Sequence, residues 1–480
     1  MRKIKNLQLE LAGTSIEKIK FNLKSRDDIP AILIGLQHIY TNPETRGQLF
    51  SLLEEKFLPE VDLHTGRPGM DVWRVLVLGV LKQGLGCDYD RLHHLANNDM
   101  LLRQMLGHSG YADNYEYGLQ TMIDNVSLLT PELLKEISSI VVQSGHAVSK
   151  KKPGEGLRGR CDSFPVKTDV EYPTDVGLSW DAVRCLVRES AEAAGANRID
   201  GWRQHRHLSE KVKKLYNQVR TKKRRDRNPG SLEEYLGVCE EMVKRADKLL
   251  CDLLAVGAPV WRLERINYYK VHAIRQIDQV RRRLILGEVI PQEEKVFSVF
   301  EPHTLWIAKG KAGVAVEFGV PVCVVEDQYQ FILNHRVMWE ESDTEVCVPF
   351  IEETVKMYPE FKACSFDQGF HSRENRKRLD EILEGNYLPK KGKLGEKDKQ
   401  RQGSEEFTEA RRQHPAVESA INGLNHKGCE KVRVHGKDGF ARSVALSVLA
   451  TNLHRLGVLV RNREREKEKR RLKPCMLVAA

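Results

Sequence analysis

The order of sequence patterns predicts an α/β fold, a mixed sheet flanked by helices, with a helical N-terminal domain before it and a helical insertion after its first strand. Three observations predict it. Helical patterns dominate residues 30–148, whereas alternating and continuous apolar runs appear only beyond them. The basic, glycine-containing stretch Lys150 to Gly156 separates the two regimes as a linker would. With the helical segment near 178–290 set aside, the later elements run strand, strand, strand, helix, strand, helix, strand, helix. The expected divisions are residues 1–148, a linker at 149–158, a sheet domain at 159–460 holding the insertion, and a charged tail at 461–480.

In the N-terminal part, Asn42-Pro43-Glu44 opens the second of two helices over residues 30–60, because a capping side chain followed by proline fits a first helical turn. Gly66-Arg67-Pro68-Gly69 then breaks the chain before an apolar helix from about Val72 to Lys82. Gly84-Leu85-Gly86 separates that helix from one near Tyr89 to Ala96, a helix-turn-helix pattern that also suits an ordinary helical bundle. Thr130-Pro131-Glu132 opens a further helix ending near His146.

The first strand is expected over Gly159 to Val170 and contains Asp162. In the insertion, Leu208, Val212, Leu215, Tyr216 and Val219 mark one helix, and Ile266, Tyr269, Ala273, Ile277, Val280 and Leu284 another. Between them, Pro229-Gly230 breaks the chain and Ser231 with Glu234 forms a capping box for a long amphipathic helix. Strand signals return at Lys295 to Ala308, at Val314 to Val325 and at Tyr329 to Met338, the last two joined by Glu326-Asp327-Gln328. A helix is expected near Pro349 to Met357, a strand at Phe361 to Phe366 ending on Asp367, a helix from Ser372 to Leu383, a strand at Asn386 to Leu388, and a helix begun by Pro415 that carries Glu418.

Composition narrows the function. The 480 residues are 41% hydrophobic and 30% charged, a globular balance that suits two to four domains at about 150 residues each. Apolar runs such as Val75 to Leu81 are far shorter than the roughly 18 residues of a membrane span, and the N-terminus lacks a secretory pattern, so a soluble cytoplasmic protein is expected. Ten cysteines, with no C-x-x-C pair, disfavour zinc ribbons and read as reduced packing residues. The net charge of +10 is clustered at Lys150 to Lys152, Lys222 to Arg227, Arg281 to Arg283, Lys390 to Lys393 and Arg461 to Lys473, which points to a polyanionic partner, nucleic acid.

Acidic residues at strand ends of such a sheet stand where open α/β folds bind ligands. Asp162 and Asp367 occupy such places, and Glu418 lies at the border of the packed face of its helix. Phosphodiester cleavage needs an activated hydroxyl and a neutralised leaving oxygen, tasks for two Mg²⁺ ions about 4 Å apart held by carboxylates. On spacing alone Asp169 and Asp175 compete for the first position, and Glu405, Glu406 and Glu409 for the third.

The stretch Cys161-Asp162-Ser163-Phe164 through Tyr172-Pro173-Thr174-Asp175 resembles the first-aspartate motif of DDE transposases from bacterial insertion sequences, and Asp367-Gln368-Gly369-Phe370-His371-Ser372 resembles their second. Further similarity lies at Lys309-Gly310-Lys311, Val316-Glu317-Phe318-Gly319, Leu388-Pro389-Lys390-Lys391-Gly392, Val417-Glu418 and Asn452-Leu453-His454-Arg455-Leu456, so the likeness spans roughly residues 45 to 460. The resemblance implies a ribonuclease-H-like catalytic domain and Asp162, Asp367 and Glu418 as catalytic, metal-holding carboxylates. It further implies Mg²⁺-dependent nicking at element ends, with Mn²⁺ as a substitute, and strand transfer into double-stranded DNA by a homodimer. Many relatives carry an arginine four residues before the glutamate and a lysine seven after it. Here those positions are His414 and Asn425, with Arg412 and Lys427 as nearby stand-ins. A decayed DNA-binding derivative and a structure-selective nuclease are the competing expectations. Lys309, Lys311, Arg373, Lys390 and Lys391 are the candidate DNA contacts.

Overall fold

The computed structural model describes residues 15–57, 69–108, 114–220, 229–308 and 316–476. The break at Gly66 to Pro68, the cluster Lys222 to Arg227 and the candidates Lys309 and Lys311 lie outside the described residues. The chain forms two compact units, one of residues 1–168 and 319–480, the other of residues 169–318.

In the first unit, helices α1 (Asp28–Thr41), α2 (Pro43–Phe57), α3 (Val72–Gly84), α4 (Tyr89–Asn98), α5 (Met100–Met105), α6 (Leu119–Val126) and α7 (Pro131–Val148) precede strand β1 (Leu157–Thr168). Asp27, Asp71, Asp88 and Thr130 each cap the helix that follows by accepting a backbone N–H. Every residue of α3 except Arg74 is buried, so the first helix of the expected helix-turn-helix is a core helix.

The second unit holds α8 (Asp175–Ala196), α9 (His205–Arg220), α10 (Pro229–Ala255), α11 (Val260–Val280) and strand β2 (Leu305–Ala308). Its own core includes Leu215, Tyr235, Met242, Ala273 and Ile277 from the predicted amphipathic helices, together with Val183 and Leu186 of α8. Two expectations change here. Helix α10 begins at Pro229, so Ser231 lies inside the first turn and is not its cap. Of the strand expected over Lys295 to Ala308, only the last four residues pair.

The chain continues with β3 (Val316–Asp327), β4 (Ile332–Val337), α12 (Asp343–Met357), β5 (Phe361–Phe366), α13 (Arg373–Ile382), β6 (Gly385–Tyr387), α14 (Glu396–Gln402), α15 (Glu405–Gln413), α16 (Ala416–Leu424), β7 (Lys431–Val432) and α17 (Gly436–Met476). Helix α12 starts six residues before Pro349, because Ser342 and Glu345 close a capping box there. The mixed sheet has seven strands in the order β2-β3-β1-β5-β6, with β4 on β3 and β7 on β1. Strand β3 runs antiparallel to β1 and to β4, whereas β5 is parallel to both β1 and β6.

One face of this sheet shares a single core with α1–α7, α12 and α17, through residues such as Trp73, Leu134, Cys161, Phe331, Phe350, Phe366 and Leu453. The N-terminal helices therefore belong to the same compact unit as the sheet, whereas the sequence reading placed a boundary at residues 149–158. The other face packs Phe164, Val166, Val322 and Val324 against Val417, Leu424 and Phe440. Asn452 of α17 ties the outer strand β4 in place: its side chain accepts from Ile332 N–H and donates to Ile332 C=O, both at 2.9 Å. Among the described residues, α17 contains the one helix long and apolar enough to cross a membrane, and 67% of that window is buried within the protein as in a core helix.

Candidate active site

Strand pairing brings the two predicted aspartates together. Cys161 of β1 is in register with Phe366 of the parallel strand β5, so the next residue on each strand is Asp162 and Asp367. Neighbouring strands lie about 4.8 Å apart, so Asp162, in the middle of β1, stands level with Asp367, the residue that follows the end of β5. Asp162 is half-buried and accepts the Ser163 N–H at 2.8 Å. Burial raises its carboxyl to about 6, and the charges of Asp367, Asp343 and Glu418 push it the same way.

Glu418 lies in the first turn of α16, exposed beside the buried Val417. Its rivals stand elsewhere. Glu409 pairs with Arg412 at 2.9 Å, and Glu405 and Glu406 are exposed in the first turn of α15. Asp169 and Asp175 fall in the second unit, where Asp175 pairs with Arg283 at 2.9 Å.

Asp343 joins the group, although the sequence reading did not select it. It accepts a hydrogen bond from Ser163 Oγ at 2.6 Å, and a Cβ built on Gly369 would stand 2.8 Å from Asp343 Oδ2. Gly369 is thus the residue that lets the Asp367 turn and the start of α12 close up. The available signal was the Ser342-x-x-Glu345 capping box, which puts Asp343 at a helix start.

The backbone ahead of Asp367 is held from α15. Arg411 donates from Nη1 to the Phe366 carbonyl at 2.5 Å, and Ser365 Oγ lies 3.0 Å from His414 Nδ1. Burial holds His414 down to about 4, so it stays neutral at pH 7. His414 is therefore a buried strut, and the cation next to the strand end is Arg411. Neither expected stand-in reaches this place: Arg412 is engaged by Glu409, and the buried Lys427 faces Asp28 at 3.7 Å.

Of the candidate DNA contacts, Arg373 and Lys391 are exposed. Lys390 and Arg376 each lie 2.5 Å from opposite oxygens of Asp398, and these cations hold the Asp398 carboxyl well below the usual carboxylate range. Gln368 donates to the Lys390 carbonyl at 3.0 Å, joining the second-aspartate turn to the Leu388-Pro389-Lys390 segment. His108 is buried, its Nε2 2.7 Å from the Tyr117 hydroxyl.

The donor set suits a hard cation in kind, since it offers only carboxylate oxygens whose mutual repulsion a Mg²⁺ ion would relieve. Among the described residues, no three His, Cys, Asp or Glu side chains are closed up around one point tightly enough to enclose a metal. No family model, curated protein or solved structure matches the chain.

Proposed function

We propose that the protein is a DNA transposase of the DDE type, with a ribonuclease-H-like catalytic domain, that binds terminal inverted repeats and performs Mg²⁺-dependent cleavage and strand transfer. The observation that carries this reading is the register of β1 on β5, which makes neighbours of Asp162 and Asp367, with the charge of Glu418 also felt at Asp162. The order of elements outside the second unit, β1, β3, β4, α12, β5, α13, β6 and then α14–α16, is the one the resemblance implies and supports the reading further.

Asp162, Asp367 and Glu418 would hold Mg²⁺, and Mn²⁺ in its place, with Asp343 beside them. The bound metal supplies Lewis-acid polarisation of the scissile phosphate. Arg411 and His414 fix the end of β5 so that Asp367 keeps its place. The exposed Arg373 and Lys391 offer charge to the DNA backbone. The reading further implies a homodimer acting on two element ends and work at the nucleoid.

The test is cleavage and joining of duplexes ending in the inverted repeats that flank the coding sequence, in Mg²⁺, by wild type, Asp162→Asn, Asp367→Asn and Glu418→Gln. The expected result is nicking and strand transfer by wild type, with each substitution lowering both at least about 100-fold. Binding without cutting in wild type would favour the decayed derivative, and cutting without joining the nuclease. Normal nicking by both aspartate variants would sink the mechanism.

A further inference from the structure

The segment that follows β6 holds to the first unit by a single buried side chain. Every residue from Lys391 to Gln400 is exposed except Asp398. Packing does not anchor the stretch, because Leu394, its one apolar side chain, is itself exposed. Asp398 accepts from Arg376 Nη1 through one carboxylate oxygen and from Lys390 Nζ through the other, both at 2.5 Å, and the second oxygen lies 3.3 Å from the Gly395 N–H. Among the described residues Asp398 is the one ion-pair partner of either cation, and both cations remain partly open to solvent. The far end of the segment has a tie of its own, since Arg401 donates to the Asn386 carbonyl at 2.6 Å and to Asp380 at 3.1 Å.

The two cations stand beside the carboxylate group. Gln368, the residue after Asp367, donates to the Lys390 carbonyl at 3.0 Å, and Arg376 lies in the first turn of α13, the helix that follows the Asp367 turn. To such a pair a carboxylate and a phosphodiester offer the same thing, one negative charge shared by two oxygens that each take a donor. Arginine as a fork and lysine as a point charge both bind phosphate. Exchanging one anion for the other keeps both cations paired and exposes no apolar surface. The carboxylate that leaves regains water, and with it the segment loses its only buried hold.

We propose that Arg376 and Lys390 form a site for a backbone phosphate of duplex DNA beside Asp367, and that Asp398 occupies this site in the free protein as an internal stand-in. DNA displaces the carboxylate and frees residues 391–400, with Arg401 as the fixed end. The segment is thus a latch that opens to a polyanion reaching the second-aspartate turn. That the polyanion is DNA rests on the transposase reading.

Two measurements on the full chain test the latch. The first is fluorescence anisotropy of a labelled duplex of about 20 base pairs with wild type, Asp398→Asn, the pair Asp398→Asn with Arg376→Gln, and the charge control Glu396→Gln from the same segment. Asp398→Asn is expected to bind about 3–10-fold more tightly than wild type, the double variant to lose that gain, and the control to change affinity less than about 2-fold. The second is hydrogen exchange of the 391–400 backbone, expected to quicken when wild type binds the duplex and in unbound Asp398→Asn. It needs no variant, so it tests the latch even where a substitution unsettles the fold. If wild type binds duplex while Asp398→Asn binds no more tightly, or while Glu396→Gln gains as much, Asp398 is a structural ion pair and this inference fails alone. Slower exchange of residues 391–400 on the duplex would show the segment closing over DNA, and would overturn the latch as well. If neither wild type nor Asp398→Asn binds duplex, the transposase reading fails with it.

Discussion

A carboxyl lifted to about 6 by burial and by three like charges is a destabilising group at neutral pH. The sign follows from linkage: the folded chain holds the Asp162 proton more tightly than the unfolded chain does, so this residue's contribution to stability declines as pH rises from about 4 to about 6. Asp162→Asn should therefore stabilise the metal-free protein at pH 7 by roughly 1–3 kcal/mol, and the gain should vanish toward pH 4. Melting curves of the two proteins at both pH values measure it, and an unchanged or lowered melting temperature at pH 7 would show that the carboxylates do not repel as described. Mg²⁺ should raise the wild-type melting temperature above pH 6 and do less below it, where protons compete. Asp162 lies inside β1 and not at its end, level with the end of β5, whereas Asp367 was legible in the sequence as the residue after a strand. Asp343 was not, because its place beside Ser163 and Gly369 comes from how α12 docks on the sheet, which no local spacing records. The clamp of Arg411 on the Phe366 carbonyl was hidden for the same reason.

Among the elements, α17 carries the most packing in the first unit, and its crossing with α1 depends on two glycines. A Cβ built on Gly457 would fall 1.8 Å from the Ala31 carbonyl oxygen, and one built on Gly35 would fall 2.3 Å from the Leu453 carbonyl oxygen. Both obstacles are backbone, so the helices must separate to admit a methyl group. Gly457→Ala is expected to cost about 2–4 kcal/mol in urea unfolding, despite alanine's better helix propensity. The exposed Gly237 in α10 meets nothing within 4 Å, and Gly237→Ala should stabilise the second unit by about 0.5–1 kcal/mol. Equal effects of the two substitutions would rule out the close crossing. A helix with a cap and a periodic face, such as α7, was readable from sequence to within a few residues. The misplaced start of α12 shows a conflict of signals: Pro349 reads as a first-turn residue, yet the Ser342 and Glu345 capping box prevails and the proline sits inside the helix.

At the level of the whole molecule, the position of the second unit in the chain explains how the sheet accommodates it. Lys167 pairs with Gly319 on the antiparallel strands β1 and β3, so residues 169–318 occupy the place of a hairpin turn. Gly319 is needed there, because a Cβ on it would stand 2.1 Å from the Val166 carbonyl oxygen. The helical character of the insertion was legible, since α8–α11 bury faces of their own. The union of α1–α7 with the sheet was not, because Trp73 and Leu134 come to share one core with Phe331 and Phe366 only through tertiary packing. If the turn description is right, a chain in which residues 169–318 are replaced by a short Asn-Gly turn keeps the first unit's core, the β1–β5 register and the four carboxylates. Such a chain should unfold in one cooperative transition and retain the Mg²⁺-dependent rise in melting temperature, with Asp162→Asn abolishing that rise in the shortened form as in the full chain. The second unit, made as residues 169–318, should melt separately and without a response to Mg²⁺. A shortened chain that stays unfolded, while the full chain responds to Mg²⁺, would mean that the helical unit is part of the sheet's stability and not an insertion into a turn.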